Sequence, residues 1–520
     1  MFNILVIVFG VLFVVYYLTT RKFNYWKKRN VPHLPPVPLF GNYSSMILQR
    51  KTFGEVVSDI CEKFPKAPVV GAYFGTEPVL IPRDPEVIKT ILTKDFYYFN
   101  GREVSEYAHR DGDLFTLFAT YGDHWKVLRQ NLTPLFSSAK MKNMFKMITQ
   151  NAYAFEKLLE QDTKQEVLDV KNVMERFTIE CIGSCVFGVA TNTIEKDEAN
   201  PFKKAGNDIL KPNKMLAFKG VMRAIWPSIF YGLRIPLFTN ELNLFRQVLI
   251  AVFKERETNP TKTQDFINLI MKWKQQSYIE GDKLRPAHSA ENGKTSVDVT
   301  DELVRAQCVV FFAAGFETSA VTLTHTLYEL SKNERVMQKA CEEVDAFMKR
   351  YNNHMTYESL SELQYLDACL DEALRKYPVL GCITREVMHD YILSPGIHIE
   401  KGMRVHIPVQ YLQNNANLFP EPEEYRPERF IGEEKRNIIP YSYMPFGEGP
   451  RICIGMRFAK MQMLAGLVTV LKSYKVTLGD NVPKKLRFLP ESFVTVSADR
   501  IKLKFTRRNG WEKALYAQHS

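Results

Sequence analysis

One stretch near the end of the chain constrains the fold more than any other, and it reads Phe446-Gly447-Glu448-Gly449-Pro450-Arg451-Ile452-Cys453-Ile454-Gly455. Its three glycines let the backbone turn tightly around one cysteine and approach a flat ligand without Cβ clashes. Backbone N–H groups in such a loop can donate to a thiolate and stabilise it. Residues 456–474 contain no proline and repeat apolar residues at helical spacing. We therefore expect a helix after Cys453, whose positive end lowers the pKa of the thiol.

Two interpretations of Cys453 compete. A buried structural cysteine is the ordinary case, because free cysteine is among the most buried residue types. The long, chemically mixed spacing Phe-x-x-Gly-x-Arg-x-Cys-x-Gly favours a ligand-binding loop instead. It resembles the haem-binding loop of the cytochrome P450 family, the haem-thiolate monooxygenases. The resemblance implies Cys453 as the metal ligand of haem b, Phe446 and Gly455 as cofactor contacts, and a mainly α fold with small β-sheets (α+β).

Composition excludes several other classes. The formal net charge of +11 is spread over 520 residues without a block of six basic residues, so nucleic acid is not an expected partner. The eight cysteines form no zinc-like pair of pairs and fit reduced thiols in a cytosol-facing domain. No Cys-x-x-Cys-His motif occurs, so the expected haem is held without thioether bonds.

The N-terminus predicts a membrane anchor. Residues 2–18 carry no charge and approach the minimum length of a spanning helix, roughly 17 residues. A cleaved signal peptide is the alternative, but no basic residue precedes the run and no Ala-x-Ala site follows it. Basic residues come directly afterwards and favour the cytoplasmic side: Arg21, Lys22, Lys27, Lys28 and Arg29. We interpret residues 1–20 as a retained, single-pass anchor.

A basic and proline-rich linker follows at residues 21–42. Closely spaced prolines make a stiff, extended spacer, although such a run can also serve as a ligand for another domain. Its position after an anchor favours the spacer, and it resembles the proline hinge of microsomal P450s. We assign residues 43–520 to one catalytic domain.

The first half of that domain is less informative. Alternating apolar residues predict a small sheet at residues 68–82, and a helix is expected from His124. Residues 101–121 are interpreted as a loop over a pocket. Residues 225–238 are apolar and broken by two prolines, which leaves open core packing or a lip dipping into the bilayer. Residues 276–300 are polar and predict a flexible loop.

A long helix is expected after the cap at Thr300. Within it, residues 314–319 place a glycine, a carboxylate and a hydroxyl among apolar residues, although a lone buried carboxylate is costly. Back-bonded hydroxyls beside a solvated glutamate are the ordinary alternative. The segment resembles the acid–alcohol pair of the P450 distal helix, which implies Glu317 and Thr318 as catalytic residues that deliver protons through ordered water.

The Glu-x-x-Arg spacing at Glu372 and Arg375 recurs elsewhere in the chain, and only its apolar flank and the following Tyr377-Pro378 single it out. The resemblance joins both residues to Arg429 in a structural, buried charge network, which must be fully paired. It also implies haem propionate contacts from Trp125, Arg129, Arg385 and Arg451. By family position, the substrate-binding candidates are Phe115, Phe118, Phe312, Phe316, Leu380, Ile383 and Phe493. Plain core packing is an equal alternative for each of them.

Together these resemblances imply a membrane-bound monooxygenase that inserts one oxygen atom from O2 into apolar small molecules. The chain has no Gly-x-Gly-x-x-Gly turn, so NADPH–cytochrome P450 reductase is the implied electron donor, with cytochrome b5 as a second candidate. The implied location is the endoplasmic reticulum membrane, with the catalytic domain facing the cytosol. Residues 131–145 resemble insect microsomal members, which suggests xenobiotics such as plant toxins or insecticides. A hormone or lipid hydroxylase, a haem-thiolate isomerase and a non-enzymatic haem sensor are the alternatives.

Overall fold

The computed structural model describes residues 2–102, 106–107, 112–163, 167–195, 200–260, 265–286, 289, 293–394 and 396–516. Helices dominate these residues, as expected. The α-helices are α1 Phe2–Thr20, α2 Tyr25–Lys28, α3 Ser44–Ile47, α4 Phe53–Glu62, α5 Pro85–Lys89, α6 Gly122–Leu132, α7 Ser138–Asp162, α8 Val170–Ile182, α9 Pro201–Leu210, α10 Lys214–Ile225, α11 Pro227–Gly232, α12 Asn243–Thr258, α13 Phe266–Lys274, α14 Asp301–Lys332, α15 Glu334–Arg350, α16 Gln364–Lys376, α17 Val409–Gln413, α18 Gly432–Arg436 and α19 Met456–Leu471.

The strands are short and form small sheets. They are β1 Val69–Phe74, β2 Glu77–Pro82, β3 Val167–Asp169, β4 Tyr278–Asp282, β5 Lys294–Asp298, β6 Ile383–Glu386, β7 Tyr391–Leu393, β8 Ile397–Ile399, β9 Arg404–Ile407, β10 Tyr474–Leu478 and β11 Lys502–Arg507. The largest sheet has the order β1-β2-β9-β6, and a second has the order β10-β11-β3. β4–β5 and β7–β8 are separate antiparallel pairs. The mainly α architecture with small sheets is therefore confirmed.

Helix α14 is the central core helix. Thr300 caps it by accepting a hydrogen bond from the Leu303 N–H at 3.1 Å, as the sequence predicts. Gly315 allows α8 to approach closely, since a Cβ there would lie 2.2 Å from Cδ1 of Ile182. Within the described residues, α14 and α1 are both long and apolar enough to cross a membrane, but α14 is largely buried in the protein. Its apolar length therefore reflects core packing.

Helix α1 is exposed along its whole length. It has 19 residues and a mean hydropathy of 2.4, and none of it is buried against the rest of the protein. At about 1.5 Å per residue it approaches the thickness of a bilayer core, about 30 Å. These properties fit the predicted membrane anchor.

The linker after α1 packs against the sheet. Trp26 has no exposed surface, and its Nε1 donates to the Ala72 carbonyl at 2.8 Å. A Cβ on Gly71 would lie 2.4 Å from the indole ring, so the strand needs glycine there. The Tyr73 hydroxyl donates to the Phe23 carbonyl at 2.9 Å. The part of residues 21–42 that contains Phe23 and Trp26 is thus packed against β1.

The proline-broken segment begins at the last residue of α10 and includes α11, and part of it packs into the core while part is exposed. Ile225 and Phe230 are buried, whereas Ile229 and Leu233 are 52% and 67% exposed. Ile225 also contacts the β1–β2 turn at Gly75. Lys22, just after α1, pairs with Glu77 of β2 at 2.5 Å, so Ile225 and the end of the anchor both approach the β1–β2 turn.

The expectation of a flexible loop at residues 276–300 is wrong. The described part contains the β4–β5 pair, in which Ile279 opposes Val297 and both side chains are buried. Gln130 of α6 holds the pair in place: it donates to Asp282 Oδ2 at 2.7 Å and accepts from the Asp282 N–H at 2.8 Å. One large apolar residue per strand is too weak a pattern to predict this pair. In the predicted loop at residues 101–121, residues 103–105 and 108–111 lie outside the described residues.

Candidate functional site

The cysteine loop closes on itself before α19 begins. The Cys453 N–H donates to the Phe446 carbonyl at 2.9 Å. Gly447 and Gly449 have φ values of +74° and +72°, which favour glycine. A Cβ on Gly449 would also lie 2.0 Å from the Leu92 carbonyl oxygen. The glycines therefore serve the tight turn that the sequence predicts.

Cys453 is the exposed cysteine of the eight, and the other seven are buried. Although Cys453 has exposed surface, the protein packed around its sulfur disfavours the anion and raises the pKa of the thiol, so the expectation of a lowered pKa is wrong for the protein alone. A hydrogen bond from the Gly455 N–H and the positive charge of Arg129 oppose that rise. Coordination to a metal ion deprotonates a thiol outright, so these two groups would stabilise the bound thiolate.

Buried arginines lie beside the cysteine loop. Arg385 and Arg451 are 1% and 5% exposed. Arg129, half-buried on α6, donates to the Ile452 carbonyl at 2.9 Å. Burial lowers the pKa of all three guanidinium groups, and repulsion between Arg385 and Arg451 lowers that of Arg451 further.

These cations need an anionic ligand. No carboxylate within the described ranges forms an ion pair with Arg129, Arg385 or Arg451, and the buried Nε atoms of Arg385 and Arg451 have no hydrogen-bond partner there. Buried charges are normally paired, so the cluster is suited to a ligand with negative groups. The two propionates of haem match this requirement, and Cys453 supplies a metal-binding sulfur next to it. The residues present therefore fit the group.

Arg102 belongs to the same cluster and was missed from the sequence. Its guanidinium lies 3.8 Å from the ring centroid of Phe118. Its charge also lowers the pKa of the Cys453 thiol and of the Arg385 and Arg451 guanidinium groups. A single arginine outside any helical or strand pattern of the sequence carries no periodic signal, so only the folded structure reveals its position.

The cytochrome P450 family model matches residues 32–505, which include the cysteine loop and α14. The chain belongs to the cytochrome P450 family. Members are monooxygenases whose haem is held by a cysteine thiolate. This P450 is 35% identical over 498 residues to "Cytochrome P450 6B1" of Papilio polyxenes, covering 95% of this chain and 97% of the relative.

Other insect P450s are similarly related. "Cytochrome P450 6B7" of Helicoverpa armigera is 33% identical over 487 residues, covering 93% of this chain and 94% of the relative. "Cytochrome P450 6k1" of Blattella germanica is 32% identical over 508 residues and covers 97% of both chains. The similarity therefore extends over almost the whole P450 chain.

The face of α14 at Ala314 and Thr318 is open. Ala314 is exposed and Thr318 is half-buried, and the Thr318 hydroxyl donates to the Ala314 carbonyl at 2.8 Å. Gln462 of α19 donates to the Gly315 carbonyl at 3.1 Å and to the Ser319 hydroxyl at 2.6 Å. The helix that follows Cys453 is thereby fixed to the segment predicted as the acid–alcohol pair.

Glu317 faces α8. Its side chain is 4% exposed, and Oε1 lies 3.0 Å from Nζ of Lys171, which also forms an ion pair with Glu175. Burial, helped by the charge of Glu175, raises the pKa of Glu317 to about 7, although Lys171 opposes the rise. The alternative of a solvated glutamate is therefore wrong. Lys171 and Glu175 were missed because a Lys–Glu pair four residues apart is typical of ordinary helix surfaces.

Two of the substrate candidates form an accessible pair. Phe118 and Phe493 meet edge to face with ring centroids 5.9 Å apart, and they are 36% and 67% exposed. Phe115 and Leu380 are half-buried, and Ile383 is buried beside Gly447. Phe118 also contacts Arg102, so this aromatic pair adjoins the arginine cluster.

Phe312 and Phe316 occupy a different environment. They are 0% and 1% exposed, with ring centroids 5.3 Å apart. Phe312 also packs on Phe245 of α12 at 4.8 Å. These two candidates are therefore packed in the core, the alternative to substrate binding, because the aromatic residues of α12 and α14 fill the space between the helices.

The residues of the predicted charge network lie together. Glu372 accepts two hydrogen bonds from Arg375, at 2.8 and 2.9 Å, and a third from Arg429 Nε at 3.4 Å. All three side chains are at most 3% exposed. Gln413, which sequence reasoning did not single out, donates to the Leu374 carbonyl and accepts from the Met444 N–H. It joins α16 to the segment before the cysteine loop.

Proposed function

We propose that this P450 is a membrane-bound monooxygenase that uses haem b to insert one oxygen atom from O2 into apolar xenobiotics such as plant toxins or insecticides. The observation that carries the proposal is the accessible Cys453 beside three arginines without carboxylate partners in the described structure. Such an arrangement suits a metal-centred ligand with two anionic groups. The relatives from insects support the xenobiotic substrate class.

Each group has a distinct task. Bound haem supplies the activation of O2. Cys453 binds its iron, and the Gly455 N–H stabilises the thiolate. Arg129, Arg385 and Arg451 pair with the propionates and so fix the orientation of the ring. These contacts also neutralise charges that the folded protein otherwise keeps buried.

Two neighbouring residues of α14, Thr318 on its open face and Glu317 on its buried face, handle the proton. The Thr318 hydroxyl accepts a hydrogen bond from a water molecule while it donates to the Ala314 carbonyl. Glu317, one residue earlier, holds the proton at its carboxylate oxygen, and its pKa of about 7 suits both uptake and release near neutral pH. The aromatic pair of Phe118 and Phe493 provides apolar surface for substrate.

Electrons come from NADPH through cytochrome P450 reductase, with cytochrome b5 as a second donor. The proposed docking surface is a groove of about 990 Å³ on the outer side of the cysteine loop, where Phe446, Ile452 and Arg457 contribute to the lining. Helix α1 anchors the protein once in the endoplasmic reticulum membrane. The basic residues after α1 favour a catalytic domain facing the cytosol.

Turnover in a defined system tests the proposal. The full chain is reconstituted in lipid nanodiscs with reductase and NADPH, and a panel of plant toxins, insecticides, hormones and lipids is supplied under 18O2. We expect one labelled oxygen atom in the product of an apolar xenobiotic, with no product when reductase is omitted. Product formation without label or NADPH consumption would instead indicate an isomerase. Haem binding without turnover of any compound would favour a sensor.

A further inference from the structure

A small cavity with a mixed polar and apolar lining lies beside α14, one to two helical turns after Glu317. Its volume is about 90 Å³, enough for several water molecules. Polar and charged side chains contribute to its lining, among them Asp169, Lys171, Thr324, His325, Asp499 and Arg500. These polar groups can hold ordered water, whereas a cavity lined only by apolar residues stays dry.

His325 supplies independent evidence for water in this cavity. It is 2% exposed, and its Nδ1 has no hydrogen-bond partner within the described structure. Burial lowers the pKa of His325 to about 3, so the ring is neutral near pH 7. Each of its two nitrogens can then form one hydrogen bond, one as donor and the other as acceptor. Leaving a buried ring nitrogen without a partner is costly, and a water molecule in the cavity would satisfy it.

Lys171 connects the cavity to Glu317. It lines the cavity, and its Nζ lies 3.0 Å from Glu317 Oε1 while it also pairs with Glu175. Glu175 and Glu317 are 6% and 4% exposed. Two buried carboxylates therefore share one ammonium group, which leaves one negative charge without compensation when both are ionised. One additional proton makes the cluster neutral, which burial favours.

We propose that Lys171, Glu175 and Glu317 form a proton-holding cluster, filled through water in this cavity, with Lys171 as the positioning residue that directs the Glu317 carboxylate toward the supply. The inference rests on the proposed function. Water that enters through the cavity passes a proton to Glu317: one O–H bond of that water breaks as the carboxylate O–H bond forms, and the water regains a proton from the next water on the path to bulk solvent. That bond breaks when the proton moves to the water beside Thr318, and the cavity then refills the carboxylate from bulk solvent. No electrons are transferred.

The titratable groups facing Glu317 decide the direction of each test. Lys171 and Glu175 face it from α8, and the cavity contributes Asp169, His325, Asp499 and Arg500. Lys171 lowers the pKa of Glu317, whereas Glu175 raises it. Removing the charge of Lys171 should therefore raise the midpoint pH of the Glu317 titration, and removing the charge of Glu175 should lower it. A general loss of stability does not produce opposite shifts.

The experiment compares Lys171→Met and Glu175→Gln in the full-length ferric haem protein. Infrared difference spectra follow the protonated carboxyl band against pH, and the band is assigned by its loss in Glu317→Gln. We expect Lys171→Met to raise the midpoint pH and Glu175→Gln to lower it, each by about one unit or more. During turnover, the pH profile of peroxide release should shift in the same directions. Lys171→Arg retains the positive charge and should keep the wild-type midpoint. Together with Glu175→Gln it keeps the inference testable if Lys171→Met fails to fold.

The control is Lys475→Met, which removes a lysine from an exposed ion pair with Glu334 and should move neither profile. Unchanged midpoints in both cluster variants would overturn the inference, because the charges would then not govern Glu317. In that case the proposed function would still be supported if the wild type forms product and Thr318→Ala releases peroxide. Absence of labelled product from the wild type would refute the proposed function itself, while the infrared titration still tests the cluster without turnover.

Discussion

The guanidinium of Arg451 lies over the indole ring of Trp125, 4.7 Å from its centroid. Both side chains are buried, so the aromatic face replaces part of the hydration that the cation has lost. Arg451 also donates to the Phe118 carbonyl at 3.3 Å. None of these groups supplies a negative charge. The cost of burying the arginines is therefore fully offset only when an anion binds, which links the stability of the protein to haem.

The first prediction concerns Arg385. Its replacement in Arg385→Met removes a buried cation that lacks a carboxylate partner in the described structure. We expect the haem-free protein to become more stable and haem to bind about tenfold more weakly or worse, because one charged hydrogen bond is worth about 1.5–3 kcal/mol. Thermal unfolding with and without haem, together with haem titration, measures both effects. Arg350→Met, at an exposed ion pair with Glu362, should change neither. Equal destabilisation of both forms would contradict the prediction.

The second prediction concerns the charge network. Arg375→Met leaves the buried Glu372 carboxylate with the longer contact to Arg429 and one hydrogen bond from the Arg426 N–H at 3.0 Å, so its main charged partner is lost. Removing one partner of a buried pair costs about 3–5 kcal/mol, so we expect loss of that much unfolding free energy, or failure to retain haem. Denaturant unfolding measures the loss of unfolding free energy. Lys475→Met, at an exposed pair, should cost less than about 1 kcal/mol. A similar cost for both variants would show that the network is not a stabilising unit.

The third prediction concerns pH and His325. Burial lowers its pKa in the folded protein to about 3 from an ordinary value of 6.5. Between these values the unfolded chain binds the extra proton, so folding stability falls as pH decreases through this window, by up to about 1.4 kcal/mol per pH unit. His325→Gln should remove this contribution and flatten the acid limb of denaturant unfolding measured against pH. An unchanged acid limb would mean that other groups dominate it.

The fourth prediction separates the anchor from the linker. Deleting residues 2–20 removes the exposed helix α1, so membrane attachment should weaken while the haem spectrum stays unchanged. Trp26→Ala leaves α1 intact but empties a fully buried site, which should cost about 3–5 kcal/mol of unfolding free energy. Membrane flotation and denaturant unfolding distinguish the two variants. Loss of haem on deletion of residues 2–20 would show that α1 is part of the fold.

Strong local patterns predicted much of this fold. The apolar repeat after Cys453 and the cap at Thr300 specify helices that begin where expected, because caps and helical periodicity act over a few residues. The β4–β5 pair was missed because its position depends on Gln130 and the core beneath Ile279, both distant in sequence. Docking of Trp26 on Gly71 is likewise a long-range contact without a local signal.

The candidate site was predictable to the extent that it follows motifs. Cys453, Arg451 and Thr318 lie in recognisable sequence contexts, whereas Arg102 and Lys171 contribute only through tertiary position. The pKa of the Cys453 thiol was predicted in the wrong direction because the helix end and nearby N–H groups are local, whereas desolvation comes from the whole domain. Long-range burial thus accounts for both kinds of error.

The reduced carbon-monoxide spectrum tests the central claim, thiolate ligation of haem by Cys453, most directly. The wild type should show the long-wavelength band of a thiolate-ligated haem. Cys341→Ala, which removes a buried cysteine of α15, should retain that band. Cys453→Ala should lose it, whether or not haem remains bound. Persistence of the band in Cys453→Ala, or its absence from folded, haem-loaded wild type, would contradict the assignment.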